Sequence, residues 1–149
     1  MDATTSDATV RQTAQELFKR HLDLLSSSRL EEWVQLFEEN GSIEHPFAPG
    51  EYLAAITGHE ALLSYISVFP KLFSVTFGEP HFHETTDPSL VIAEFTSEGT
   101  GVTTGNPYNQ QYISVVYTTD GKITRYVDFW NPLVSIDAVG DNLPDSVRV

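Results

Sequence analysis

A carboxylate inside an aromatic strand is the residue of this chain best suited to chemistry. Gly121–Asn131 reads GKITRYVDFWN, and strand alternation puts Thr124, Tyr126, Asp128 and Trp130 on one face. Ile123, Arg125, Val127 and Phe129 take the other face. With the first face inward, Asp128 loses hydration between Tyr126 and Trp130. It must then be hydrogen-bonded, paired, or held with a raised pKa suited to proton transfer. Two histidines are candidate partners. His21 shares a helical face with Phe18 and Leu25, and His45 shares a strand face with Ile43, opposite Glu44. Imidazole titrates near about 6.5, so either histidine could act as acid or base at neutral pH. Glu44 is expected to be exposed or to form a salt bridge at the rim.

Other polar motifs carry less. His81-Phe82-His83 places two imidazoles on one strand face, but a third ligand would have to come from a distant segment, so no metal site is expected. His59 reads as a solvated residue of a capping box. Gly99-Thr100-Gly101 reads as a bulge and Gly105-Asn106-Pro107 as a turn, without the context of a phosphate loop. No cofactor is implied by any of these motifs.

The elements that must position these residues are legible as changes of period. Val10, Ala14, Leu17, Phe18, His21, Leu24 and Leu25 mark a helix from about Asp7 to Ser27. Ser28-Arg29-Leu30-Glu31 reads as a capping box that opens a second helix presenting Leu30, Trp33, Val34 and Phe37, stopped by Asn40-Gly41. A brief strand follows over Ser42–Phe47. Thr57-Gly58-His59-Glu60 reads as another capping box, for a third helix with Leu62, Tyr65, Ile66 and Phe69 inward and Pro70 disturbing its last turn. From Ser74 the pattern is β: Ser74–Glu84, Leu90–Val102, Gln110–Thr118 and the closing strand, joined by an Asp120-Gly121 hairpin. Helices first and a meander after is an α+β order. Three helices on a strongly bent, mostly antiparallel sheet would form a cone-shaped α+β barrel whose interior is a small-molecule pocket. Tyr65, Trp33, Phe18, Phe69, Tyr112, Tyr126 and Trp130 are the expected substrate-contacting wall.

The 149 residues fit a single domain, 1–149, with residues 1–6 flexible and 133–149 a tail bearing an apolar patch from Leu133 to Val139. Nine Phe, six Tyr and two Trp favour a pocketed aromatic core. A net charge of −13 with only eight Lys and Arg argues against nucleic acid or an anionic membrane as partner. The absence of cysteine excludes thiolate catalysis and disulfides. No apolar run approaches a membrane span, and MDATTSD lacks a signal-peptide pattern, so a cytoplasmic protein is expected.

The order ααβαββββ, Trp33-x-x-Leu36-Phe37 before the first strand and GKI…Y.D.W at the end resemble the nuclear transport factor 2-like superfamily. That superfamily includes ketosteroid isomerase, limonene-epoxide hydrolase, SnoaL-type polyketide cyclases and the phenazine-biosynthesis A/B proteins. The resemblance covers about residues 8–136. On the ketosteroid isomerase pattern His45 stands where those enzymes carry the aspartate base, and His21 where they carry a tyrosine donor to the oxyanion. Their second, acidic donor falls near Ile113-Ser114, where this chain has no acid, which argues against steroid isomerisation. Asn109, Gln110, Gln111 and Tyr112 replace the Arg/Asp pair of the epoxide hydrolases, which argues against that reaction too. Asp128 resembles the acid of the cyclase relatives and aligns with a glutamate of the phenazine A/B proteins. Tyr65 aligns with a histidine of the latter.

The resemblance implies a cofactor-independent isomerase or cyclase acting by acid–base chemistry on a hydrophobic carbonyl compound of secondary metabolism. Asp128, His45 and His21 would share the catalytic roles. The alternative is a non-catalytic ligand-binding or assembly module of the same fold. A homodimer through the outer sheet face, with Arg125, Val127 and Phe129 on the last strand, is the expected assembly.

Overall fold

The computed structural model describes residues 6–149. The expected flexible start falls mostly on residues 1–5, outside the described residues. Ser6 caps the first helix, its hydroxyl accepting from the amide of Thr9. That helix, α1 (Asp7–Ser26), buries Ala14, Leu17, Phe18, His21, Leu22 and Leu24 along one stripe.

Two expected capping boxes are absent, each for a local reason. Ser28 has φ 56° and closes α1, with the Arg29 amide reaching back to the Leu24 carbonyl. Arg29, not Ser28, then stands at the start of α2 (Leu30–Val34), without a side-chain cap. Likewise Thr57 ends strand β2 (Ala55–Thr57), and Gly58, at φ 92°, turns the chain into α3 (His59–Ile66). His59 is not simply solvated: its Nε2 lies 2.8 Å from the Phe37 carbonyl.

α2 stops before Phe37, which instead begins β1 (Phe37–Glu44) and pairs with Ile123. Asn40-Gly41 therefore lies inside a strand, at the register irregularity between Phe37 and Ser42. Pro70 starts a new turn, α4 (Phe69–Leu72), rather than disturbing the end of α3, as its preset φ suits a first helical turn. The expected strand over Ser74–Glu84 is two, β3 (Phe73–Phe77) and β4 (His81–His83), interrupted at Gly78-Glu79-Pro80.

Strands β5 (Leu90–Gly101), β6 (Gln110–Thr119) and β7 (Lys122–Trp130) form the meander, with Asp120 and Gly121 both at positive φ in the hairpin. The order is β2-β1-β7-β6-β5-β3, with β4 also on β5, and only β1–β7 is parallel. The sheet curves around the helices without closing into a barrel. Gly99 and Gly101 are not a bulge, since β3–β5 pairing runs through them without a register shift. A Cβ on Gly99 would meet the Ser74 carbonyl, and one on Gly101 the Ala138 carbonyl. Close backbone approach explains both glycines.

A register shift near Thr118 and Ile123 turns Ile123 into the core, against its expected outward face. Beyond it, the alternation of Tyr126, Asp128 and Trp130 holds. On the outer face Val127 is buried within the chain, and Arg125 forms a two-pronged ion pair with Glu44. Exposed apolar area there comes instead from Phe47 and Ile113, with half-buried Phe129 beside Phe47.

The main core joins Phe18, Trp33, Phe37, Leu62, Val116 and Ile123 between helices and sheet. A smaller cluster of Val68, Val139, Leu143 and Val147 closes one end. It is built by the segment expected as a tail, which forms α5 (Pro132–Val139) and a 3₁₀ turn (Asp145–Val147). The tail is tied down by a bridge between Tyr52 and Arg148. Among the described residues no helix is long and apolar enough to cross a membrane.

Candidate active site

Between helices and sheet lies a cavity of about 120 Å³. Asp128, His21, His45, Tyr65, Trp33, Phe69, Tyr112, Tyr126 and Trp130 all line it. Phe18 does not. It is buried in the core, edge-on to His21, Phe82 and Phe95, because its position on α1 points under the sheet.

Sheet register sets the carboxylate's surroundings. Ser114 on β6 is the direct cross-strand neighbour of Asp128 on β7, and its hydroxyl lies 2.9 Å from Asp128 Oδ1. The same Ser114 oxygen is 2.8 Å from the Tyr126 hydroxyl. Tyr126 in turn lies 3.1 Å from His21 Nε2, and the Trp33 indole donates to His21 Nδ1 at 2.8 Å.

An indole nitrogen can only donate, which fixes the direction of the whole chain. His21 Nδ1 must accept, so the neutral imidazole carries its proton on Nε2 and donates to Tyr126. Tyr126 then donates to Ser114, and Ser114 to Asp128. Four side chains from α1, α2, β6 and β7 thus end on one carboxylate oxygen of Asp128. No hydrogen bond among the described residues engages the other oxygen, Oδ2.

A second chain follows the same logic. Trp130 donates to His45 Nδ1 at 2.9 Å, and His45 Nε2 lies 2.7 Å from the Tyr65 hydroxyl. His45 therefore donates to Tyr65. β1 ends at Glu44, and the His45 amide extends the ladder to the Ala54 carbonyl, which aims the imidazole at α3.

The electrostatics separate the acid from the imidazoles. Burial holds His21 down at about 3 and His45 at about 4, so both are neutral at pH 7. With one nitrogen accepting from tryptophan and the other donating to tyrosine, neither has a lone pair free to take a proton. Asp128 is raised to about 7 by burial, against the opposing effect of the Ser114 hydrogen bond. Burial also pushes the Tyr65 and Tyr126 hydroxyls up, and the nearby Asp128 charge adds to both. The site can hold a half-titrated carboxyl beside phenolic donors at neutral pH.

Residues 18–126 match the SnoaL-like domain family. An uncharacterized PhzA/B-like protein of Pseudomonas aeruginosa is 38% identical over 127 residues, covering 85% of this chain and 90% of that one. The chain belongs to the SnoaL-like family. This SnoaL-like protein is also similar to a solved Bacillus subtilis structure named as a candidate isomerase, at 35% identity and TM-score 0.85. That likeness covers 93% of this chain and 99% of the other. A candidate polyketide cyclase from Xanthomonas campestris pv. campestris shares the fold at 18% identity and TM-score 0.75, over 88% of this chain and 99% of that one.

Sequence reasoning missed Ser114, the residue that joins Tyr126 to Asp128. Its signal was its place between Tyr112 and Val116 on the inward face of β6. The isomerase pattern sets an acid near this position, and this chain places a hydroxyl there. Tyr52 and Tyr108, also on the cavity wall, lie between the expected elements, and Leu143 lies in the expected tail. His81 and His83 stand edge to face at 4.7 Å, and exposed His83 pairs with Glu94 at 3.0 Å. Among the described residues no three His, Cys, Asp or Glu side chains cluster as metal ligands would.

Proposed function

We propose that this SnoaL-like protein is a cofactor-independent isomerase or cyclase that performs acid–base chemistry on a hydrophobic carbonyl compound. Asp128 is the group that takes and returns the proton. The supporting observation is a single carboxyl on a largely apolar and aromatic cavity wall, raised to about 7 by burial, with Oδ1 held by Ser114 and Oδ2 unengaged among the described residues. A pKa near working pH serves both halves of a proton transfer. His21 and His45 enter as positioning residues rather than as bases, since both ring nitrogens of each are engaged.

The test is α-proton exchange. A small ketone such as cyclopentanone in D₂O should lose α-protons faster with the protein, and Asp128→Asn should lower that rate by about 10²–10⁴-fold. An unchanged rate in a folded Asp128→Asn protein would refute this reading and favour a ligand-binding module. The reading includes a homodimer through the outer sheet face, where Phe47 and Ile113 expose apolar area. A monomer by light scattering at micromolar concentration removes that part.

A further inference from the structure

The two Trp–His–Tyr chains end differently, and the difference assigns a role to Tyr65. In the first, the Tyr126 proton is spent on Ser114. In the second, Tyr65 accepts from His45, and its own O–H has no acceptor among the described residues. Of the other cavity phenols, Tyr52 and Tyr112 have acceptors. Tyr52 reaches the Ser135 carbonyl at 3.5 Å, and Tyr112 donates to Tyr108 at 3.4 Å. Tyr108 has Ser135 and Gln110 beside it. An unused phenolic donor in an apolar cavity is costly unless a ligand oxygen meets it. Asp128 is near enough for its charge to oppose ionisation of Tyr65, yet no hydrogen bond joins them.

We propose that Tyr65 is the second catalytic residue, donating its O–H to the carbonyl oxygen of a compact ketone or aldehyde whose α-carbon faces Asp128 Oδ2. This rests on the acid–base reading of Asp128. In the step, the α-C–H bond breaks and its proton goes to Oδ2. The C–H electrons form the C=C bond, and the carbonyl π pair moves to oxygen as an enolate held by Tyr65. Return of the proton to the same or a conjugated carbon completes exchange or isomerisation, so atoms and charge balance without a co-reactant. Protonating Asp128 also removes the charge that had opposed negative charge near Tyr65, just as the enolate forms. Trp130 and His45 are positioning residues: by filling Nδ1, Trp130 prevents His45 from accepting the phenol proton. A cavity of about 120 Å³ suits a ligand roughly the size of a five- or six-membered ring.

Infrared spectroscopy of carbonyl-¹³C cyclopentanone on the intact protein tests this, with α-exchange measured alongside. The bound carbonyl stretch should fall below its value in an apolar solvent. Tyr65→Phe should abolish that fall and slow exchange by about 10²–10³-fold, whereas Asp128→Asn should keep the fall and lose exchange. Trp130→Phe should shrink the fall with the phenol still present, because His45 can then reverse its tautomer. An unshifted carbonyl, or a shift kept in Tyr65→Phe or undiminished in Trp130→Phe, overturns the assignment while leaving Asp128 intact. Failure of cyclopentanone to bind overturns the ligand class. Exchange that survives Asp128→Asn instead refutes the acid–base reading beneath it.

Discussion

Two Trp–His–Tyr arrays of identical chemistry stand on one cavity wall, and one is far more closed than the other. Trp33 and His21 are sealed between α1, α2 and the sheet, with Trp33 at 0% exposure. Trp130, paired with His45, keeps accessible area at the end of β7. In both, the indole sets the imidazole tautomer and the imidazole sets the phenol. What differs is the next group. Ser114 accepts a hydrogen bond from Tyr126 and donates one to Asp128, whereas Tyr65 faces the cavity. The same motif therefore works as a structural anchor when its last donor is consumed, and as a ligand-facing donor when it is not.

The largest expected effect separates carboxylate from anchor. Asp128→Asn should remove α-exchange by about 10²–10⁴-fold with the far-ultraviolet circular dichroism unchanged. Trp33→Phe acts on the closed array. It leaves His21 Nδ1 buried without a donor, costing about 1–3 kcal/mol before packing losses. Trp130→Phe should cost less in urea denaturation, because water can reach the site it vacates. Equal losses would erase the distinction between the arrays.

The pH dependence of stability carries opposite signs from the two kinds of group. His21 and His45 have folded values of about 3 and 4 against 6.5 ordinarily, so the unfolded chain binds more protons between those values. Their contribution is present above 6.5 and is lost as pH falls below it. Asp128 is raised from 3.8 to about 7, so its contribution is present at low pH and is lost as pH rises through 7. Urea midpoints should peak near pH 6.5, and Asp128→Asn should flatten the alkaline side. A peak unmoved and a slope unchanged in that variant would contradict the raised carboxyl.

Ser114→Ala is the mildest probe. Ser114 donation lowers the Asp128 pKa, so its loss should move the carboxyl limb of the exchange–pH profile upward. A downward movement would mean that Ser114 does not donate to Asp128.

Much of this was legible in local periods. The helical stripe of α1, the inward run of Tyr126, Asp128 and Trp130, and the placing of His45 with Ile43 all follow from spacing alone. The misplaced elements mark where spacing competes with geometry. Ser28 looked like a cap but closes the preceding helix, and a register shift in the hairpin turned Ile123 inward. Phe37 carried an apolar signal that serves a strand as well as a helix. Phe18 matched the wall by period but was covered by the sheet.

Side-chain type and alternation by themselves determined that Asp128 would sit in aromatic surroundings, with two imidazoles facing the same interior. They could not determine which imidazole nitrogen holds a proton. That depends on Trp33 and Trp130 reaching Nδ1, and on Tyr126 meeting a histidine 105 residues away in sequence. Hydrogen-bond direction is a property of neighbours in space. Only tertiary structure decided that the histidines are committed donors, that Ser114 completes one chain, and that the Tyr65 proton has no acceptor among the described residues.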